Sequence, residues 1–127
     1  MEWTQTYPGL PSMVPAIRVF VRSLLGDTPR ADDAELVVCE LAANSLRHTP
    51  SGGDGGKLTV AVTVRTGYTR LAVTDSGDGG WSRPGMPDET AEYGRGLLIV
   101  EACADNFGHV VDTDGQTMWA EFIWRDS

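Results

Sequence analysis

The chain has 127 residues, 41% of them hydrophobic and 22% charged, enough for one domain around one core and ordinary for a globular protein. A formal net charge of −8 argues against a nucleic-acid binder that works through a basic surface. It leaves room for a single nucleotide held by backbone amides and a metal. No apolar run approaches the roughly 18 residues of a membrane span. Met1-Glu2-Trp3-Thr4 lacks the basic start and apolar stretch of a signal peptide, so the expectation is a cytoplasmic protein with no membrane contact.

In chain order, Glu2 to Tyr7 alternates weakly and predicts an edge strand, followed by breaks at Pro8, Pro11 and Pro15. Ile17, Phe20, Val21 and Leu24 recur at helical spacing and predict a helix from about Val14 to Leu25, ended by Gly26. A second helix starts near Ala31, with Asp32, Asp33 and Glu35 at its positive dipole end, and stops by Pro50. The run Ser51 to Gly56 is a loop. Leu58 to Val64 is strongly β-prone, Gly67-Tyr68 turns the chain, and Thr69 to Thr74 returns as its hairpin partner. Asp75-Ser76-Gly77-Asp78-Gly79-Gly80 interrupts regular structure, and Trp81 to Tyr93 reads as a loop or lid. Gly94-Arg95-Gly96 opens a third helix, Leu97 to about Ala104. Phe107 to Asp112, a turn at Asp114-Gly115, and Thr117 to Trp124 complete the pattern as two more strands.

Helices that do not alternate strictly with strands predict an α+β fold: a two-layer sandwich with a mixed, mainly antiparallel sheet and helices on one face. No internal repeat or domain boundary appears, so residues 1–127 are expected to form a single domain. Cys39 and Cys103, with two histidines, show no zinc-ligand spacing and are expected to be reduced and mostly buried thiols.

Three separated elements carry candidate chemistry. Glu40 and Asn44 stand four residues apart, hence on one helix face about a turn from each other. Such pairs are usually solvated surface. Asn44 nevertheless offers a neutral oxygen suited to Mg²⁺ whose other ligands are waters and phosphates. Glu40 could accept a proton from a nucleophile. Asp75 at a strand end is acceptor-only when ionised and could take a hydrogen bond from an exocyclic amine. Gly77 and Gly79 after it let backbone approach a ligand. Gly94 and Gly96 precede a helix whose N-terminal N–H groups suit phosphate.

Taken together, Glu40-Leu41-Ala42-Ala43-Asn44, Asp75-Ser76-Gly77-Asp78-Gly79 and Gly94-Arg95-Gly96-Leu97 resemble the N, G1 and G2 boxes of the GHKL ATPases, whose domain is the Bergerat ATP-binding fold. Gly115-Gln116-Thr117 resembles the last motif, where a threonine helps hold adenine. The likeness runs from about Pro8 to Trp124. It is strongest to the small stand-alone branch of anti-sigma-factor serine/threonine kinases and related ATP-binding regulators of actinobacterial type. Cys39 to His48, Gly94 to Val100 and Thr117 to Phe122 all have counterparts there.

The resemblance implies ATP and Mg²⁺ as cofactors, with Asn44 holding the metal and Glu40 as general base on a serine hydroxyl or water. It implies Asp75 on the adenine amine, with Thr117 supporting it through water. Gly77 and Gly79 would shape the base pocket; Gly94, Gly96 and Leu97 would form the phosphate motif. Arg95 either contacts phosphate or is simply exposed, and His48 either packs beside the nucleotide or closes its helix. The expected function is phosphorylation of a serine on an anti-sigma antagonist domain, alternating with capture of a sigma factor. Relatives often form homodimers, and no direct nucleic-acid contact is expected. The alternative is a non-catalytic, ATP-binding or nucleotide-free, protein-interaction regulator. Its motivation is the stretch from Gly80 to Tyr93, which is short for an ATP lid and has Arg83 as its only basic residue.

Overall fold

Ile17, Val21 and Leu25 recur every four residues and all three are fully buried, which is why Val14–Leu25 forms a helix (α1) laid on a core. Pro15 falls in its first turn, where a missing N–H costs nothing. The structure is a computed structural model that describes residues 1–48, 56–75, 98–112 and 115–125; the side chains of residues 47, 48, 111 and 112 are outside that description. The predicted loop 51–55 and the predicted loop or lid that follows Asp75 therefore lie outside the described residues.

The second helix, Ala31–His48 (α2), buries Val37, Val38, Leu41 and Ala42 along one face and carries Asn44 and Ser45 into the interior. It packs on α1 and on the sheet. Arg18 and Arg22 of α1 pair with Glu35 of α2, and Arg22 also reaches Asp32 at 2.7 Å. These solvent-screened pairs orient the helices more than they stabilise them.

Five strands make one sheet: β1 (Glu2–Pro8), β2 (Lys57–Arg65), β3 (Tyr68–Asp75), β4 (Asn106–Asp112) and β5 (Gly115–Ile123), in the spatial order β1-β2-β3-β5-β4. The sheet, expected to be mainly antiparallel, is antiparallel at every pairing among the described residues. β1 is an edge strand, as its weak alternation predicts. The β2–β3 hairpin turns at Gly67, whose φ of 69° and whose approach to the Trp124 carbonyl exclude a side chain. Strand alternation sends Leu58, Val60, Val62, Leu71, Val73, Met118, Ala120 and Phe122 toward the helices, where all are essentially inaccessible. The opposite face bears a row of four threonines in register, Thr6, Thr59, Thr74 and Thr117. Two pairs in that row share hydroxyl hydrogen bonds, Thr6 with Thr59 at 3.1 Å and Thr74 with Thr117 at 2.8 Å.

A third helix (α3) is described over 98–103, with Val100 buried against the same core. Its last carbonyl, Cys103 O, accepts from Arg30 at 2.5 Å, and the same guanidinium donates to Ile123 O of β5 at 2.9 Å and to the Asp105 carboxylate at 2.8 Å. The guanidinium also lies 5.2 Å from the Phe122 ring centroid. One side chain thus ties the start of α2 to the end of α3 and to β5.

Asp105 completes this junction by accepting the Ile123 N–H at 2.7 Å. That backbone bond, with Arg30 beside it, holds its carboxyl below the ordinary value of 3.8. Because the folded-state value is the lower one, the stabilisation is present above pH 3.8 and lost as pH falls through the folded value. Thermal melts of wild type and Asp105→Asn are expected to differ at neutral pH and to converge in acid below that value. A gap independent of pH would exclude the ionised carboxylate as its source.

Candidate functional site

The site is built where α2 crosses β3 and β5. Asn44, 3% exposed, points from α2 at the sheet, and its Nδ2 donates to Met118 Sδ at 3.3 Å. Thioether sulfur is a weak acceptor, so this bond positions the carboxamide without saturating it. Its Oδ1 is buried and has no hydrogen-bond partner among the described residues. Glu40, one turn earlier on the same helix, is half-buried.

Met118 is paired with Val73 across β3 and β5, and the next inward residue of β3 is Asp75, fully buried at the strand's end. Asp75 is held against β5 by Gly115. A methyl group on Gly115 would lie 2.2 Å from the Asp75 carbonyl oxygen and 3.1 Å from its Oδ1, and its φ is +145°. Backbone of that kind is open to glycine only. The inner face therefore carries Asp75 at the end of β3 and Met118 beneath Asn44, while Glu40 lies one turn before Asn44 on α2.

Thr117 is not brought to this group. It is directly opposite Thr74, and their hydroxyls bond to each other on the outer face, away from Asn44. The inward neighbour of Thr117 is Gln116, 2% exposed, whose Oε1 accepts a hydrogen bond from the imidazole Nε2 of His109 on β4. Gln116 lies within the Gly115-Gln116-Thr117 motif but has no role in the resemblance. The parity of β5 was the available signal: Met118, Ala120 and Phe122 are its apolar face, and Gln116 shares their parity while Thr117 does not. His48 is the last residue of α2, its side chain outside the description. Gly77, Gly79, Gly94, Arg95, Gly96 and Leu97 lie outside the described residues.

A neutral, buried oxygen that lacks a partner fits a hard cation such as Mg²⁺. Among the described residues no cluster of three or more acidic, histidine or cysteine side chains is placed to cage a metal.

The two thiols stand apart from this chemistry. Cys39 and Cys103 are free and half-buried, less enclosed than expected, and burial pushes both thiols above their ordinary range. No helix among the described residues is long and apolar enough to cross a membrane.

Comparison with protein families matches residues 7–124 to the histidine kinase-like ATPase domain. With nearly the whole chain matched and an α+β fold of one antiparallel sheet packed by helices, the chain belongs to this family, within the GHKL ATPases. ATP is the ligand that this membership assigns to it. No curated protein matches the chain in a sequence search.

Proposed function

We propose that the chain is an ATP-binding regulator with protein serine kinase activity, acting on a serine of an anti-sigma antagonist domain and alternately sequestering a sigma factor. The observation that carries the nucleotide site is Asn44: a buried carboxamide oxygen without a partner among the described residues, above the sheet face that ends in Asp75. Asn44 would hold Mg²⁺, and the ion would supply positive charge against the nucleotide phosphates. Asp75, ionised, accepts from the exocyclic amine of adenine. Glu40, one helical turn from Asn44, takes the proton from the attacking serine hydroxyl. Burial around Asn44 and Asp75 strengthens each of these contacts by excluding water. The glycine motifs at 77–79 and 94–97 are the base-pocket and phosphate contacts that family membership suggests.

The test is transfer of labelled γ-phosphate from ATP to a cognate antagonist domain, with Glu40→Gln beside wild type. Transfer by wild type, reduced about 10²- to 10⁴-fold in the variant, is the expected result for a general base. One sequence feature favours a second reading, a non-catalytic ATP-responsive binding module: the stretch 80–93 has Arg83 as its only basic residue and no lysine to reach a γ-phosphate. Intact ATP binding without transfer to any paired antagonist would decide for that module.

A further inference from the structure

The sheet register sets a second polar pair against Asp75. Thr74 and Thr117 are opposed and turn outward. One residue further along both strands, alternation turns Asp75 and Gln116 inward and across from each other, and they are 0% and 2% exposed. On the other side of β5, His109 stands opposite Met118 and diagonal to Gln116, within reach of a long side chain. Its Nε2 bonds to Gln116 Oε1. A carboxamide oxygen only accepts, so that Nε2 carries the proton. The bond fixes the amide's orientation: oxygen toward β4, and the NH₂ branch left to serve the β3 side, where Asp75 stands.

We infer that Gln116 is a base-reading residue of the nucleotide site, that His109 is the positioning residue that orients it, and that together with Asp75 they select adenine over guanine. The inference rests on the nucleotide reading above. An ionised carboxylate only accepts, and an amide NH₂ only donates. Side by side they present an acceptor next to a donor. Adenine's edge answers with an amine donor next to a ring-nitrogen acceptor. Guanine presents the reverse, a carbonyl oxygen next to an N–H, and would leave two buried mismatches. Asp75 alone reads one atom of that edge; with Gln116 the site reads two. If the carboxamide were free to turn over, its oxygen would face the β3 side and the adenine match would be lost. The His109 N–H prevents that turn.

The experiment is competition binding with ATP, GTP and tripolyphosphate, all with Mg²⁺, on wild type, Gln116→Leu, His109→Phe and His109→Gln. Wild type is expected to prefer ATP. Gln116→Leu and His109→Phe are each expected to reduce the ATP:GTP affinity ratio about tenfold, the size of one mispaired buried hydrogen bond, while tripolyphosphate affinity stays put. His109→Gln keeps an N–H donor at that reach and is expected to retain most of the ratio. A merely structural pair would weaken both nucleotides equally, so an unchanged ratio in the first two variants overturns the inference. So does a wild type that binds ATP and GTP alike, although the nucleotide reading then stands. Wild type that binds neither nucleotide removes the nucleotide reading itself. Circular dichroism identifies a variant that fails to fold; if His109→Phe is one, Gln116→Leu and His109→Gln decide.

Discussion

Asn44→Ala is expected to abolish the Mg²⁺-dependent part of ATP affinity, a loss of about 100-fold or more for a direct metal ligand, with the thermal midpoint barely changed. The two halves of this result come from the same geometry. Truncation removes a weak N–H···S bond to Met118 and leaves a small cavity, both destabilising. It also removes a buried carbonyl oxygen that has no partner among the described residues, a group that costs about 1–3 kcal/mol to keep dry. These terms oppose each other, so the fold tolerates the change while the site does not. Calorimetric titration with ATP, with and without Mg²⁺, beside a thermal melt reads both quantities. Undiminished Mg²⁺-dependent affinity would show that Asn44 is not the ligand. A collapse of the melt would show that its oxygen is satisfied structurally.

The second large effect is expected at Gly115. Alanine there must place its methyl 2.2 Å from the Asp75 carbonyl oxygen while adopting a φ of +145°. Neither demand can be met without moving β5 away from the end of β3, because the obstructing atom is backbone and cannot rotate aside. The combined strain and overpacking amount to about 3 kcal/mol or more, which for a chain of this size lowers the melting midpoint by roughly 10 °C. Because the displaced residue is Asp75, nucleotide affinity should fall together with stability, the opposite of the Asn44→Ala pattern. A Gly115→Ala protein that melts like wild type would mean that the strand ends part easily and that the close approach is not structural.

Much of this architecture is legible in the sequence because it is local. The i, i+4 recurrence of Ile17, Val21 and Leu25 sets α1, and the alternation of Leu58, Val60 and Val62 sets β2. Glu40 and Asn44 could be placed on one face by helical spacing alone. What escaped depends on pairing between distant segments. The insertion of β5 between β3 and β4 is decided by which hydrophobic faces meet, so this strand order could not be read from element order. Thr117 was assigned by likeness of motif, whereas its side chain follows strand parity and turns outward to Thr74. The His109–Gln116 contact joins two strands through side chains with no shared motif. Only the register of β4 against β5 reveals it.

The sheet order has a consequence for biosynthesis. The strand that runs from Gly115 to Ile123 follows all the other described strands in sequence, yet it occupies an interior position flanked by β3 and β4. A nascent chain that has emerged only as far as Asp112 holds the three described helices and four of the described strands, but β4 lacks its β5 neighbour and β3 has an open side. Met118, Ala120 and Phe122, which close the core beneath the helices, arrive with that final strand, as does Gln116. Arg30 likewise waits for the Ile123 carbonyl, 93 residues away in sequence. Core closure and sheet completion are therefore one non-local event rather than two. A ribosome that stalls before β5 would release a polypeptide with an unpaired sheet edge and an open core, a substrate for quality control.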